Sequence, residues 1–388
     1  MPTAAATSAD VIVLGTGGMG SAACAHLASR GTTVIGLDRF QIAHNRGSSH
    51  GQTRLIRQAY FEHPDYVPLL LEAYRLWRGL EEATGKTLLL ESGLLLAGLE
   101  AGEAVAGALH AAAIHRLPIE RLSAREAKRR WPAFALDDDF LAVWEPAAGY
   151  LLVEECVRAH AEVATRHGAR FEAGVAIRGW HAGARGVTVD TDQGTFHADR
   201  LVIAPGAWAA DILKLPSVTL EVLKKTLCWY RPPAEHRATF SAGPEFGIGL
   251  PCFAFDTPAG FYYGFPAIDE RGVKIAEHTG GTPVVDPLTL DRSLDRAEAA
   301  RVAAVARTRL PDLGNDLAHH AACLYTMTPD AHFLLGLHPQ HSCVAIAAGF
   351  SGHGFKFASV VGAILADLAL DGSTSRPIGF LAPSRFAG

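Results

Sequence analysis

Two periodicities alternate over the first forty residues. Residues 11–14 are an unbroken apolar run of the kind a buried strand needs, residues 18–30 repeat apolar side chains at helical spacing through Ala22, Ala23 and Leu27, and residues 34–37 are apolar again. The pattern predicts a strand, a helix and a strand, after a short frayed tail within residues 1–9. Val67, Leu70, Leu71, Tyr74, Trp77 and Leu80 mark an amphipathic helix over residues 66–82. Residues 123–130 carry the capping-box spacing of Ser123 and Glu126 at the start of a shorter helix. Residues 87–99 read as strand and 154–167 as helix; residues 186–192 and 195–197 flank Gln193-Gly194 as a hairpin would, and a strand over 200–204 follows. From 220 to 276, apolar and polar residues alternate between Gly and Pro turns, the texture of antiparallel sheet. A strand over 344–348, a glycine-rich turn and a helix from near Lys356 close the chain. The Ala-rich stretches 101–114 and 297–306 read as solvated helices.

With 388 residues, 49% of them hydrophobic, the chain can bury a large core in two or three lobes. A formal charge of -5 and a pI near 6.4 give no broad positive field, so nucleic acid is not an expected partner. No uninterrupted apolar run approaches the roughly 20 residues of a membrane span. The N-terminus lacks the basic and apolar regions of a signal peptide. Cysteines at 24, 156, 228, 252, 323 and 343 show no CxxC spacing, which argues against a metal site and fits a reducing cytoplasm.

Gly15-Thr16-Gly17-Gly18-Met19-Gly20 fits GxGxxG directly after the first strand and at the opening of the first helix, the context in which this motif holds a dinucleotide. Gly15, Gly17 and Gly20 permit a tight turn and close approach of a pyrophosphate to backbone N–H groups at the positive helix end. Asp38 is placed to accept from a ribose hydroxyl and to repel a 2′-phosphate. The motif alone does not separate NAD from FAD; its early position and the later Ala204-Pro205-Gly206-Ala207-Trp208 stretch favour FAD. The expected fold class is α/β, with a discontinuous Rossmann-type FAD-binding domain over residues 1–86, 145–219 and 321–388. A second α+β substrate domain on an antiparallel sheet is expected over 87–144 and 220–320.

Residues 44–57 form the one locally basic stretch, with Arg54 and Arg57 three apart and on one face if helical. Fixed guanidinium groups suit anions, although a solvated basic face explains an isolated pair as well. Near the C-terminus, Gly349, Gly352 and Gly354 precede an apolar helix, so backbone N–H groups and the helix dipole converge on one spot. That arrangement suits the negative charge on the N1–C2=O edge of a flavin holding electrons. A packing turn with a surface Lys356 is the rival reading.

Together with Ala322-Cys323-Leu324-Tyr325-Thr326, these segments resemble the family of monomeric sarcosine oxidase and N-methyltryptophan oxidase. The resemblance runs nearly end to end, through residues 47–60, Tyr262-Tyr263-Gly264-Phe265-Pro266, Lys274 with His278, the Cys323 segment and residues 349–357. It implies a monomeric FAD-dependent amine oxidase whose flavin is bonded covalently by Cys323. It further implies that Arg57 and Lys356 hold a substrate carboxylate and that Arg54 and His50 lie near the flavin, with Gly352, Gly354 and Lys356 also on the cofactor side. Lys274 would stand close to flavin N5, where a fixed ammonium favours reaction with oxygen, and Tyr263, His278 and Tyr325 would line the substrate pocket, none as an obligate base. The implied reaction passes hydride from the C–N carbon of a neutral secondary amino acid, N-methyl or cyclic, to FAD. Water then hydrolyses the imine, and O2 takes the electrons as H2O2. Departures from the family pattern are Gln52, where an acid is usual, Ala276-Glu277 before His278, and Met327 after Thr326.

Three alternatives stay open on sequence alone: an amine dehydrogenase passing electrons to a carrier, a catalytically silent flavin-binding protein, and an NAD dehydrogenase. The identity of the N-substituted amino acid stays open too.

Overall fold

The computed structural model describes residues 7–213, 215–242 and 249–386, so most of the expected N-terminal tail lies outside the described residues. Its organising sheet starts as the sequence pattern predicts. Strand Ser8–Leu14 leads through helix Gly18–Ser29 to strand Val34–Asp38, and the two strands pair in parallel from Val11↔Val34 to Leu14↔Leu37. A parallel strand buried on both faces needs continuous apolar side chains, which Val11 to Leu14 supply. Outward on one side lies Arg170–Ala173; on the other, Gly194–Ile203 pairs with Ser8–Leu14.

Gly194–Ile203 is a single strand where two were expected, over 195–197 and 200–204. Its first half closes the expected hairpin with Gly186–Thr191, and its second half pairs in parallel with His341–Ala348. Exposed Asp199 and Arg200 mimic a break in the hydrophobic pattern, yet only their side chains turn outward.

A second sheet has nine strands among the described residues. Glu221–Arg231 lies between Asp316–Met327 and Val273–Glu277, antiparallel to both, and the sheet continues through Gly260–Phe265 and Cys252–Thr257. One of its pairings is parallel, Cys252–Thr257 with Leu94–Leu99. Asp316–Met327 is continuous across the boundary expected at 320/321, so Cys323 and Tyr325 are carried by this second sheet. The expected strand over 87–99 is also divided. Leu89–Leu90 joins a small sheet with Thr53–Ile56 and Gly149–Leu152, and Leu94–Leu99 joins the second sheet.

Helix Ala124–Arg130 has the expected reciprocal cap between Ser123 and Glu126. The two Ala-rich segments are helices, Glu103–His115 and Arg296–Arg309, but neither is merely solvated. Each buries a face of small apolar side chains, among them Ala104, Val105 and Ala108 in the first and Ala299, Val302 and Ala306 in the second, where Glu298 is buried as well. No helix among the described residues is long and apolar enough to cross a membrane.

Candidate active site

The dinucleotide fingerprint forms a tight turn at the end of the first strand. Gly15 has φ 83°, a left-handed conformation natural to glycine, and a Cβ there would lie 2.4 Å from the Ala204 carbonyl oxygen. A Cβ on Gly20 would lie 1.7 Å from the Gly15 oxygen, so Gly20 serves the packing of helix on turn. At the helix N-terminus, Gly18 N–H donates to Ser49 Oγ at 3.0 Å. Asp38 accepts from the backbone N–H groups of Thr16 at 2.7 Å and Phe40 at 2.9 Å, which leaves acceptor capacity for a ligand hydroxyl. One cleft is lined by Gly15, Gly17, Asp38 and Trp208 together with Arg54, Cys323, Tyr325, Gly352 and Gly354. Trp208 Nε1 is buried without a hydrogen-bond partner among the described residues.

Arg54 and Arg57 do not share a helix face. Arg54 projects from strand Thr53–Ile56 into the cleft wall, where its Nη2 donates to the carbonyls of Ser48 at 2.9 Å and His50 at 3.0 Å. Arg57 follows the strand and does not line that cleft. Cys323 Sγ is buried in the cleft wall, 3.7 Å from the Ser48 oxygen. The turn that holds Gly352 is shaped to Tyr325: a Cβ on Gly352 would lie 2.3 Å from that ring. His50 sits behind Arg54 with Nε2 unpartnered among the described residues; burial, then Arg54, lower its pKa to about 4, so the ring is neutral.

Lys274 stands behind residues 51–53 rather than in the cleft wall. Its Nζ donates to the carbonyls of Gly51 at 2.6 Å and Thr53 at 2.8 Å and lies over the rings of Phe265 and Trp229, 4.9 and 5.3 Å from their centroids. Burial, then Arg54, push its pKa well below the usual lysine range, while the Glu154 carboxylate, which accepts from Gly51 N–H at 2.7 Å, works in the other direction. Gln52 accepts from Trp229 Nε1 at 2.8 Å and donates to Asp269 at 2.6 Å. An acid at 52 could accept from Trp229 but would face Asp269 as a like charge, so the amide fits this neighbourhood.

A second group of residues meets around Tyr60. The Arg57 guanidinium carbon lies 4.4 Å and Lys356 Nζ 5.1 Å from the Tyr60 ring centroid, and Phe61 covers Arg57 at 4.5 Å. Arg57 Nη2 donates to both oxygens of Glu62 at 2.8 Å, whereas its buried Nη1 has no partner among the described residues. Lys356 donates to the His353 carbonyl at 2.7 Å and makes no ion pair among the described residues; burial, then Arg57, push its pKa well below the usual range. Tyr325 lines the cleft, and its hydroxyl lies 3.3 Å from His278 Nδ1 and 3.5 Å from the Tyr263 hydroxyl. Burial lowers the His278 pKa to about 3 and raises those of both tyrosines, so all three are neutral.

Residues 10–368 match the family described as FAD dependent oxidoreductase. The chain belongs to that family. Similar curated proteins include a monomeric sarcosine oxidase of Streptomyces avermitilis, 42% identical over 97% of this chain and 98% of that protein. An N-methyl-L-tryptophan oxidase of Salmonella enteritidis is 32% identical over 97% of this chain and 99% of its own length. Among solved structures, NikD, described as an unusual amino acid oxidase essential for nikkomycin biosynthesis, superposes with TM-score 0.83 at 27% identity, covering 97% of each chain.

The residues of this FAD dependent oxidoreductase fit its cofactor. A glycine-walled turn at a helix N-terminus suits a pyrophosphate, Asp38 retains acceptors, and the unpartnered Trp208 N–H supplies a donor in the same cleft. Sequence reasoning missed Ser49, Glu62, Tyr60 and Trp229. Only Glu62 carried a signal, as the acid nearest in sequence after Arg57.

Proposed function

We propose that the protein is an oxidase of a small secondary amino acid, N-methyl or cyclic, with FAD covalently bonded through Cys323 and O2 as electron acceptor. The observation that carries this reading is the meeting of two buried basic side chains, Arg57 and Lys356, over the Tyr60 ring, with Glu62, paired to Arg57, the one carboxylate ion-paired to either among the described residues. An excess of buried positive charge with an unused guanidinium N–H calls for an anion, and a substrate carboxylate supplies one.

Bound FAD supplies the two-electron acceptor, and oxygen then carries the electrons away as hydrogen peroxide. The protein's part is placement. A carboxylate held at Arg57 and Lys356 would direct the amine end toward Tyr325, which lines the cleft and whose hydroxyl meets His278 Nδ1. His278, Tyr263 and Tyr325 are uncharged and surround that end with neutral hydrogen-bonding groups, which favour a neutral amine over an ammonium. A neutral nitrogen keeps the lone pair that hydride loss from the neighbouring carbon requires. Arg54 places a positive charge in the cleft wall that Cys323 also lines, where it would stabilise an electron-rich flavin. Lys274, held behind the cleft by donation to the Gly51 and Thr53 carbonyls, is assigned to the oxygen step through the field of its charge.

The division into a nucleotide-binding and a substrate lobe, with Asp316–Met327 assigned to the second sheet, and a monomeric, cytoplasmic state belong to the same proposal. The test is oxygen uptake across N-methylglycine, N-methyl-L-tryptophan, pipecolate and proline. Uptake with one peroxide formed per amine consumed supports an oxidase; turnover with an artificial electron carrier but not with oxygen rejects it.

A further inference from the structure

Lys225 and Glu298 form an ion pair that the reaction described above does not use, and among the described residues it is the most deeply buried one, with side chains 1% and 2% exposed. Lys225 Nζ lies 2.9 Å from Glu298 Oε1, a contact without hydrogen-bond alignment, and donates to the Thr279 carbonyl at 2.8 Å. Glu298 Oε2 accepts from the Thr226 backbone N–H at 2.8 Å. Burying both charges is costly, and such a pair gives little net stability over an apolar pair of similar volume, so its presence asks for another role.

Its position supplies one. Strand register sets Lys225 directly opposite Cys323, and Nζ lies 5.9 Å from the Tyr325 ring centroid. The carbonyl that Lys225 holds belongs to the residue after His278. The loop then runs along the lysine stem: a Cβ on Gly281 would lie 3.1 Å from Lys225 Cδ. From the same helix, Arg301 reaches Glu277 at 2.8 Å, on the other side of His278. Arg301 is about half exposed, and exposed pairs contribute little, so the buried pair is the firmer of the two clamps.

We propose that Lys225, oriented by Glu298, is a positioning residue for the amine pocket: through the Thr279 carbonyl it fixes the loop that holds His278 against the Tyr325 hydroxyl. This rests on the function proposed above. Helix Arg296–Arg309, which does not line the cleft, thereby sets the shape of the pocket wall that meets the substituent on nitrogen.

The test compares two charge-neutral double variants of the flavin-loaded protein. Lys225→Met/Glu298→Gln leaves the Thr279 carbonyl without a donor, whereas Lys225→Gln/Glu298→Gln leaves an amide donor in its place. KM and kcat for N-methylglycine, the Kd of (methylthio)acetate from the flavin absorbance change, and the melting temperature are measured for each. The methionine double is expected to raise KM and Kd about tenfold, with kcat changed less than about threefold, and the glutamine double to stay within about threefold of wild type throughout. Wild-type binding in the methionine double, or equal losses in both doubles, would overturn the inference. Should the methionine double not fold, Lys225→Arg keeps the charge but crowds the loop, and it should raise KM without lowering the melting temperature; an unchanged KM there overturns the inference as well. A wild-type protein that neither oxidises a secondary amino acid nor binds (methylthio)acetate defeats the proposed function itself. An active wild type with an unaltered methionine double defeats only the role of Lys225.

Discussion

Glu62 occupies Arg57 in this structure, and replacing it should tighten, not weaken, the binding of carboxylates. In Glu62→Gln the amide can still accept from Arg57, but the negative charge beside the anion site is gone. A like charge about 5 Å from a bound carboxylate costs about 3 kcal/mol at an effective dielectric of about 20. Glu62 is 14% exposed, so water and movement of the side chain reduce that cost. A net gain of about 1–2 kcal/mol remains, or roughly 5- to 30-fold tighter binding. Arg57→Ala should act in the opposite sense, because it removes a charge-assisted donor and strands Glu62, with a loss of about 2–3 kcal/mol, or roughly 30- to 150-fold. The assay is titration of the oxidised protein with (methylthio)acetate, followed by the flavin absorbance change. Weaker or unchanged binding in Glu62→Gln, with flavin content and melting temperature intact, would refute the placement of the carboxylate at Arg57.

Flavin should stay with the wild-type polypeptide after acid precipitation and leave it in Cys323→Ser; wild-type flavin that washes out rejects the covalent bond. Lys274→Met should leave flavin reduction by substrate within about threefold while slowing reoxidation by oxygen about 10²-fold or more, as the loss of an electrostatic contribution of several kcal/mol requires, and stopped-flow reoxidation checks it. Stability should fall on acidification from pH 6.5 to 5. His26 and His50 have pKa values lowered to about 4, and His160 and His278 to about 3, from 6.5. The unfolded chain therefore takes up protons that the native state refuses in that window, which removes about 1.5 kcal/mol per histidine. Urea midpoints that stay level or rise between those pH values contradict neutral buried rings.

The elements legible in the sequence were those whose signal is local. The strand–helix–strand opening, the Ser123–Glu126 cap and the turn before Gly194 each need only neighbouring residues to be specified, and each is where the pattern put it. Arg54 and Arg57 looked like a helix face because spacing was the only guide available, whereas pairing of Thr53–Ile56 with Gly149–Leu152 makes the segment a strand. That pairing joins residues nearly a hundred positions apart and leaves no local trace. Cys323 and Tyr325 were expected as site residues from the family resemblance, but their membership of the second sheet follows from the partnership with Glu221–Arg231, again across long separation. Lys225 and Glu298 were invisible for a related reason: one sits in an alternating strand and the other in an Ala-rich helix, and only the fold brings the two charges together away from water.

Anaerobic mixing of the purified, flavin-loaded protein with N-methylglycine, and separately with N-methyl-L-tryptophan, tests the proposed reaction most directly. The visible flavin band should bleach with at least one of them and return when oxygen is admitted, with one peroxide formed for each imine hydrolysed. A band that persists with every secondary amino acid tried, in protein whose flavin dithionite reduces normally, would contradict amine oxidation by this site.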